Sequence, residues 1–298
     1  YSYLESILPI YAFYYFGRKG WIDDKWFRRV AVLFVLYAAY TFYTRQNMFL
    51  NSLGMDEDME FTNNAGYGLL ALFPLFAFFR KKPILLYGLM IVDLFAIMYS
   101  QKRGAILLGI LCVGYIYLFL SKDTKSIRKL FVLIAFVVIS VVATRYIQNL
   151  METSARFNSR MVELANAEAS GREVMYPRYF WFYISSGFFN LIFGHGADGT
   201  CHYLGLMAHN DWLEFLINMG IVGFVPLLLY WISLFKFWKK CRRVCSPEIV
   251  LATGMFVIIY FGKSMFSMSI MGMSVIATAV FGYCLATYDN IVRTGNHL

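Results

Sequence analysis

Residues 194–226 read GHGADGTCHYLGLMAHNDWLEFLINMGIVGFVP. The stretch passes from a glycine-rich polar loop, through a helix start near Asn210, into a strongly apolar run. His195, Asp198, His202, His209, Asn210, Asp211 and Glu214 gather in it among glycines and aromatics. Polar groups brought up against a membrane are costly and tend to be functional.

On either side the chain is lipid-soluble. It is 59% hydrophobic and 19% aromatic, and only 15% charged, where a soluble domain carries about a quarter charged residues. The composition therefore specifies an all-α, polytopic transmembrane helical bundle forming one integral membrane domain over 1–298. A net charge of +9 raises nucleic acid as a partner. The basic residues fall in short clusters between apolar segments, which is a topology signal, so nucleic-acid binding is excluded. The five cysteines (Cys112, Cys201, Cys241, Cys245, Cys284) are scattered and form neither a disulfide framework nor a zinc pattern. The chain opens on Tyr1, and its first apolar segment, around Leu4 to Phe16, is short for a span. Further spans are expected before it.

A bilayer crossing takes roughly 20 apolar residues. Spans are expected near 2–16, 30–45, 63–79, 83–100, 104–120, 130–147, 219–236, 248–267 and 270–288. The aromatic run 178–193 reads as a span, a re-entrant helix or an interfacial helix. Charge favours the last two. Basic clusters lie at 17–29, 80–82, 121–129 and 236–243, with Arg293 beyond them. With nine crossings all of these fall on one face, which the excess of Lys and Arg makes cytoplasmic. The opposite face then carries the acidic loop 46–62, the turn 101–103 and the long segment 148–218, whose first half has charges at amphipathic helical spacing. A loop of that length is usually functional.

Arg45, Lys102, Arg103, Arg145, Arg156, Arg160, Arg172, Arg178 and Lys263 face outward in this topology, against the charge bias. Guanidinium forks suit bidentate phosphate binding; snorkelling to headgroups is the ordinary alternative. His209, in AHNDW, has the pKa range of a general base, and stands equally as a structural histidine between helices. Asp211 and Glu214 share a helix face. They read as ligands for sugar hydroxyls, as carboxylates beside the histidine, or as charges complementing the helix dipole. His195, His202 and His209 are spaced seven apart, but Gly194, Gly196, Gly199 and Gly205 oppose a continuous helix there, and no metal-ligand motif supports a metal. Asp93 and Lys263 are charges at membrane depth, a pattern proton-coupled proteins also use. No nucleotide-binding motif is present, so no cofactor is expected.

Four pieces, in order, resemble the O-antigen ligase and O-antigen polymerase superfamily of bacterial envelope glycan transferases: TNNAGYGLLALFP (62–74), SQKRGA (100–105), SGREVMYPRYFWFYISSGFFNLIFGHGADG (170–199) and AHNDWLEFLINMGIVGF (208–224). His209 and Gly220 reproduce the His-x10-Gly pattern associated with the ligases. The resemblance implies a GT-C-like glycosyltransferase in the bacterial inner membrane with its site facing the periplasm. It implies an undecaprenyl-pyrophosphate-linked glycan as donor, lipid A–core or another glycan as acceptor, and inverting chemistry without a metal. It assigns Arg103 and Arg172 to the pyrophosphate and His209 to the acceptor hydroxyl. Arg178, Asn210, Asp211, Glu214, Trp212 and Tyr203 are the accompanying substrate-binding candidates; Tyr176, Phe180, Trp181, Tyr203 and Trp212 could stack on sugar or lipid, or act as interfacial anchors.

Ligase and polymerase both fit, with His-x10-Gly favouring the ligase. A lipid-linked glycan transporter or flippase is the competing class, but the internal repeats and paired broken helices common in transporters are not evident.

Overall fold

The computed structural model describes residues 2–52, 65–100, 102–120, 145 and 172–295, and no strand occurs among them. Helices are the expected solution, because a chain in hydrocarbon must satisfy its backbone within each segment. In order they are α1 (Ser2–Arg18), α2 (Asp24–Ser52), α3 (Ala65–Leu70), α4 (Phe73–Phe76), α5 (Pro83–Tyr99), α6 (Arg103–Leu120), α7 (Arg172–Ile184), α8 (Phe188–Phe193), α9 (Gly199–Leu204), α10 (Asp211–Val244), α11 (Pro247–Phe266) and α12 (Val275–Thr294). Four of them, α6, α10, α11 and α12, are long and apolar enough to cross a bilayer. The segment Ala65–Phe79 and α5 are apolar but shorter.

Several expected boundaries move. The run 63–79 is not one helix but α3, α4 and a 3-10 turn over Ala77–Phe79. Pro74 has no N–H to continue the ladder past Leu70, and a tight Leu72 N–H to Leu69 carbonyl bond of 2.8 Å closes the break. The last span begins at Val275 rather than 270, because Ser274 caps it with its hydroxyl, accepting from the Ile276 N–H, while Ile270–Gly272 forms a 3-10 turn. The aromatic run 178–193 is divided between α7 and α8, of 13 and 6 residues, each below the roughly 20 a crossing takes. The expected span at 130–147 (Arg145 apart), the amphipathic part of 148–171 with Arg156 and Arg160, and the basic cluster 121–129 lie outside the described residues.

The chain divides into two compact units: residues 1–123 with 234–263 and 269–298, and residues 124–233 with 264–268. In the first, α11 is the central helix, with Leu251, Ala252, Met255 and Phe256 fully buried. Phe256 stacks on Phe281 of α12 at 4.3 Å between centroids. α1 lies along α12 because glycines let the backbones close: a Cβ on Gly282 would overlap the Ile10 carbonyl, and one on Gly17 would meet the Ala286 methyl. Tyr14 donates to Asp289 at 2.7 Å, Arg18 pairs with the same carboxylate, and Tyr283 donates to Asp24 at the start of α2, 2.8 Å away. Lys263 is buried; it donates to the Gly272 carbonyl at 3.0 Å with its ammonium 4.9 Å from the Tyr67 ring centre. Asp93 is buried in α5, and its Oδ2 has no hydrogen-bond partner among the described residues.

The α1–α12 seam gives a direct test. Gly282→Leu should cost about 1–3 kcal/mol, the usual penalty of overpacking, and lower the thermal midpoint of the purified protein in detergent. An unchanged midpoint would mean the glycine seam does not hold α1 in place.

Candidate active site

The second unit is built on a small core of Tyr179, Tyr183, Ala208 and Ile217, with Met175, Phe182, Leu191, Leu204, Leu213 and Leu216 packed against it. Two phenols fix neighbouring segments to α7: Tyr179 donates to the Leu206 carbonyl in the loop after α9 at 2.8 Å and Tyr183 to the Leu191 carbonyl of α8 at 2.7 Å. Each hydroxyl thus gives a backbone carbonyl a partner.

Gly220 breaks α10. Its φ of 61° and ψ of −159° lie in a region essentially closed to side chains. Gly194, at the end of α8, has nearly the same conformation, with φ 77° and ψ −173°. The two glycines meet backbone to backbone. A Cβ on Gly220 would collide with the Ile192 carbonyl and the Gly194 nitrogen; one on Gly194 would collide with the backbone of Asn218 and Met219. A helix end leaves its last carbonyls without intrahelical partners. Here the GHG turn supplies them: the His195 N–H donates to Ile217 at 2.8 Å and the Gly196 N–H to Asn218 at 3.0 Å.

The start of α10 is equally fixed. The Asn210 side-chain oxygen accepts from the N–H groups of Trp212 and Leu213, at 2.9 and 3.1 Å, an N-cap arrangement. Its amide donates to the Met265 carbonyl at 2.8 Å. Trp212 donates from its indole to Ser264 at 3.2 Å and lies edge-on to Phe224. Glu214 is 5% exposed; its oxygens accept from the Thr200 hydroxyl at 2.8 Å and the Ala208 N–H at 3.1 Å. One turn on, the Asn218 side-chain oxygen accepts from the Thr200 N–H at 3.1 Å. Asp211 is also buried in the first turn. Glu214 and Asn218 therefore hold the start of α9 and the loop before α10.

That loop presents His209. Its φ of 49° is in the left-handed region, uncommon for a residue with a side chain, and such positions cluster at functional sites. The residue is half-buried, and its carbonyl faces the Tyr176 hydroxyl in a long contact of 3.5 Å. Arg172, half-buried, opens α7 one turn before Tyr176, so the two share a face. Burial raises the Tyr176 phenol above its ordinary pKa, and the Arg172 charge and a hydrogen bond with Asn210 oppose the shift. Arg172, Tyr176, His209 and Asn210 thus form one neighbourhood. Arg178 is exposed on α7. Tyr203 is exposed on α9, its ring 5.1 Å from that of His195. Arg103 opens α6 in the first unit, half-buried.

The three evenly spaced histidines are not on one helix. Gly194, Gly196 and Gly205, all at positive φ, put His195 in a turn, His202 on α9 and His209 in the next loop. Among the described residues no group of three or more His, Cys, Asp or Glu is placed to hold a metal ion. Two roles were not read from the sequence: Tyr176, expected as a stacking or anchoring ring, places its phenol against the His209 carbonyl, and Asn218 was not singled out. The second has a readable signal, since 211, 214 and 218 follow helical spacing on one face.

The joint between Gly194 and Gly220 can be tested alone. Gly220→Ala should destabilise the protein by about 2 kcal/mol or more, since a side chain in this conformation costs roughly 1–3 kcal/mol and the collision adds to it. Thermal unfolding and the yield of monodisperse protein measure this; a variant as stable as the parent would show that the joint is not tight.

Residues 85–228, which include most of α5, all of α6 and Arg172, Tyr176, His209 and Asn210, match the family model described as O-antigen ligase, and the match supports the O-antigen ligase and polymerase superfamily. No curated protein and no solved structure gives a significant match.

Proposed function

We propose that this chain, which carries the O-antigen ligase family match over residues 85–228, is a membrane glycosyltransferase that moves a whole glycan from an undecaprenyl-pyrophosphate carrier to an acceptor hydroxyl, with lipid A–core as the acceptor. The observation that carries the reading is the neighbourhood of Arg172, Tyr176 and His209. Tyr176 brings α7, which Arg172 opens, against the backbone of His209, and His209 stands on a loop held by Glu214 and by the Asn210 cap. The chemistry fits these groups. The acceptor oxygen attacks the anomeric carbon from the face opposite the leaving group, so configuration inverts. The bond from that carbon to the pyrophosphate oxygen breaks, and undecaprenyl pyrophosphate leaves. His209 takes the acceptor proton. Arg172, joined by Arg103 on the family's pattern, neutralises the charge growing on the pyrophosphate. In this reading the guanidinium groups do the work a divalent ion does elsewhere, and no cofactor is needed.

Asn210, Asp211 and Glu214 serve the site through the helix start and loop they fix, while Arg178, Trp212 and Tyr203 line the approach of glycan and lipid. The proposed setting is the inner membrane, with nine crossings in this chain, a GT-C-like architecture and 148–218 on the periplasmic side. A polymerase that extends lipid-linked repeats uses the same donor chemistry; the His209–Gly220 spacing favours the ligase.

Arg172→Ala should abolish transfer while the protein stays folded in the membrane. His209→Ala should lower kcat by about 10²-fold or more, the range for a lost general base, with donor affinity kept. Transfer near normal in Arg172→Ala would remove the pyrophosphate role. A His209→Ala defect confined to donor binding would remove the base.

A further inference from the structure

α7 carries two kinds of aromatic group. Trp181 and, just beyond on α8, Phe188, Phe189 and Phe193 are all more than half exposed, a large aromatic surface of the kind interfacial anchors present. The second group is different. Phe182, His195 and Tyr203 form a tilted cluster, with Phe182 4.7 Å and Tyr203 5.1 Å from the His195 ring centre. His202 stands edge-on to Tyr203 at 4.8 Å. Tyr203 and His202 are exposed, as is Asp198.

The imidazole of His195 is oriented. The Ser186 hydroxyl has one hydrogen, and it donates to the Phe182 carbonyl at 2.9 Å. The 2.7 Å contact between Ser186 Oγ and His195 Nε2 is then made by the Nε2 hydrogen, an assignment drawn from the bonding pattern. Nδ1 is left as the acceptor, with no hydrogen bond to any described residue. Burial lowers the His195 pKa, which keeps that lone pair available at neutral pH.

The position along α7 supplies the rest. Tyr176 marks the His209 end and Phe182 the His195 end. Six residues of helix separate them by about 9 Å, more than one sugar ring. We propose that this cluster is a glycan subsite set back from the reacting end. There the apolar face of one sugar ring stacks on Tyr203, and one of that sugar's hydroxyls donates to His195 Nδ1. The proposal rests on the glycosyl transfer proposed above and adds the residues that select the sugar. A bilayer surface has no use for an oriented acceptor at the edge of a ring cluster, whereas a sugar presents an apolar face and a rim of hydroxyls together. Ser186 is a positioning residue, acting through His195.

The test uses the full chain in detergent and a carrier-free oligosaccharide of two or three repeat units, released from the producing cell's own surface polysaccharide. Saturation-transfer NMR should show one sugar ring in close contact with the protein. Tyr203→Ala and His195→Ala should each weaken binding about tenfold, and Tyr203→Phe should restore most of the loss, since it keeps the stacking face. In transfer assays the same losses should fall on KM for the glycan. Absence of oligosaccharide contact in the folded parent would overturn the subsite, as would variants that bind the oligosaccharide like the parent but adhere less to phosphatidylglycerol vesicles. If the parent binds the oligosaccharide with this residue dependence yet transfers nothing, the subsite stands and the proposed reaction fails.

Discussion

The close approach of Gly194 and Gly220 is the constraint on which the second unit depends. Each glycine adopts a conformation side chains avoid, and a Cβ on either would collide with backbone of the other segment: Ile192 and Gly194 for Gly220, Asn218 and Met219 for Gly194. Their contact ends the first part of α10 after Met219, and it hands the exposed helix carbonyls to the N–H groups of His195 and Gly196. With the far end of that short helix fixed at Asn210, His209 has a rigid support on which to stand in a left-handed conformation. The ten-residue interval between His209 and Gly220 is therefore the length of a helix segment bounded by a cap and a break.

A division of labour follows from burial. Glu214, Asn218 and Thr200 satisfy one another and the loop inside the protein, as buried polar groups must. Arg172 and His209 remain half-buried and open to chemistry. Removing the supporting carboxylate would leave the Thr200 hydroxyl and the Ala208 N–H without these acceptors, so this layer is felt at His209. The charges at membrane depth divide in the same way: Lys263 is held by the Gly272 carbonyl and the Tyr67 ring, which is a structural use of an intramembrane cation.

Much of the fold was legible from the chain. The expected spans at 104–120 and 219–236 fall within α6 and α10, and that at 248–267 matches α11 to within one residue, because about 20 consecutive apolar residues have few other solutions. The misjudged edges were decided by single residues: Pro74, which lacks the donor a continuous helix needs, and Ser274, which caps α12 four residues after the apolar pattern begins. At the candidate site, the residue types and the glycine punctuation were readable. What the glycines touch was not, because Gly194 and Gly220 are far apart in sequence and only folding brings their two backbone segments together. The Tyr176 hydroxyl and the Ser186–His195 pair were hidden for the same reason. An aromatic run suggests a membrane interface by composition, and only its partners distinguish an anchor from a hydrogen-bonding group.

The most direct measurement is the product formed by the purified chain when it is given an undecaprenyl-pyrophosphate-linked glycan with and without lipid A–core. The account predicts a glycan joined to lipid A–core, with undecaprenyl pyrophosphate released only when that acceptor is present. Lengthened carrier-linked chains without lipid A–core would show a polymerase instead. Movement of the intact donor across a bilayer with no new glycosidic bond would contradict the account and identify a transporter.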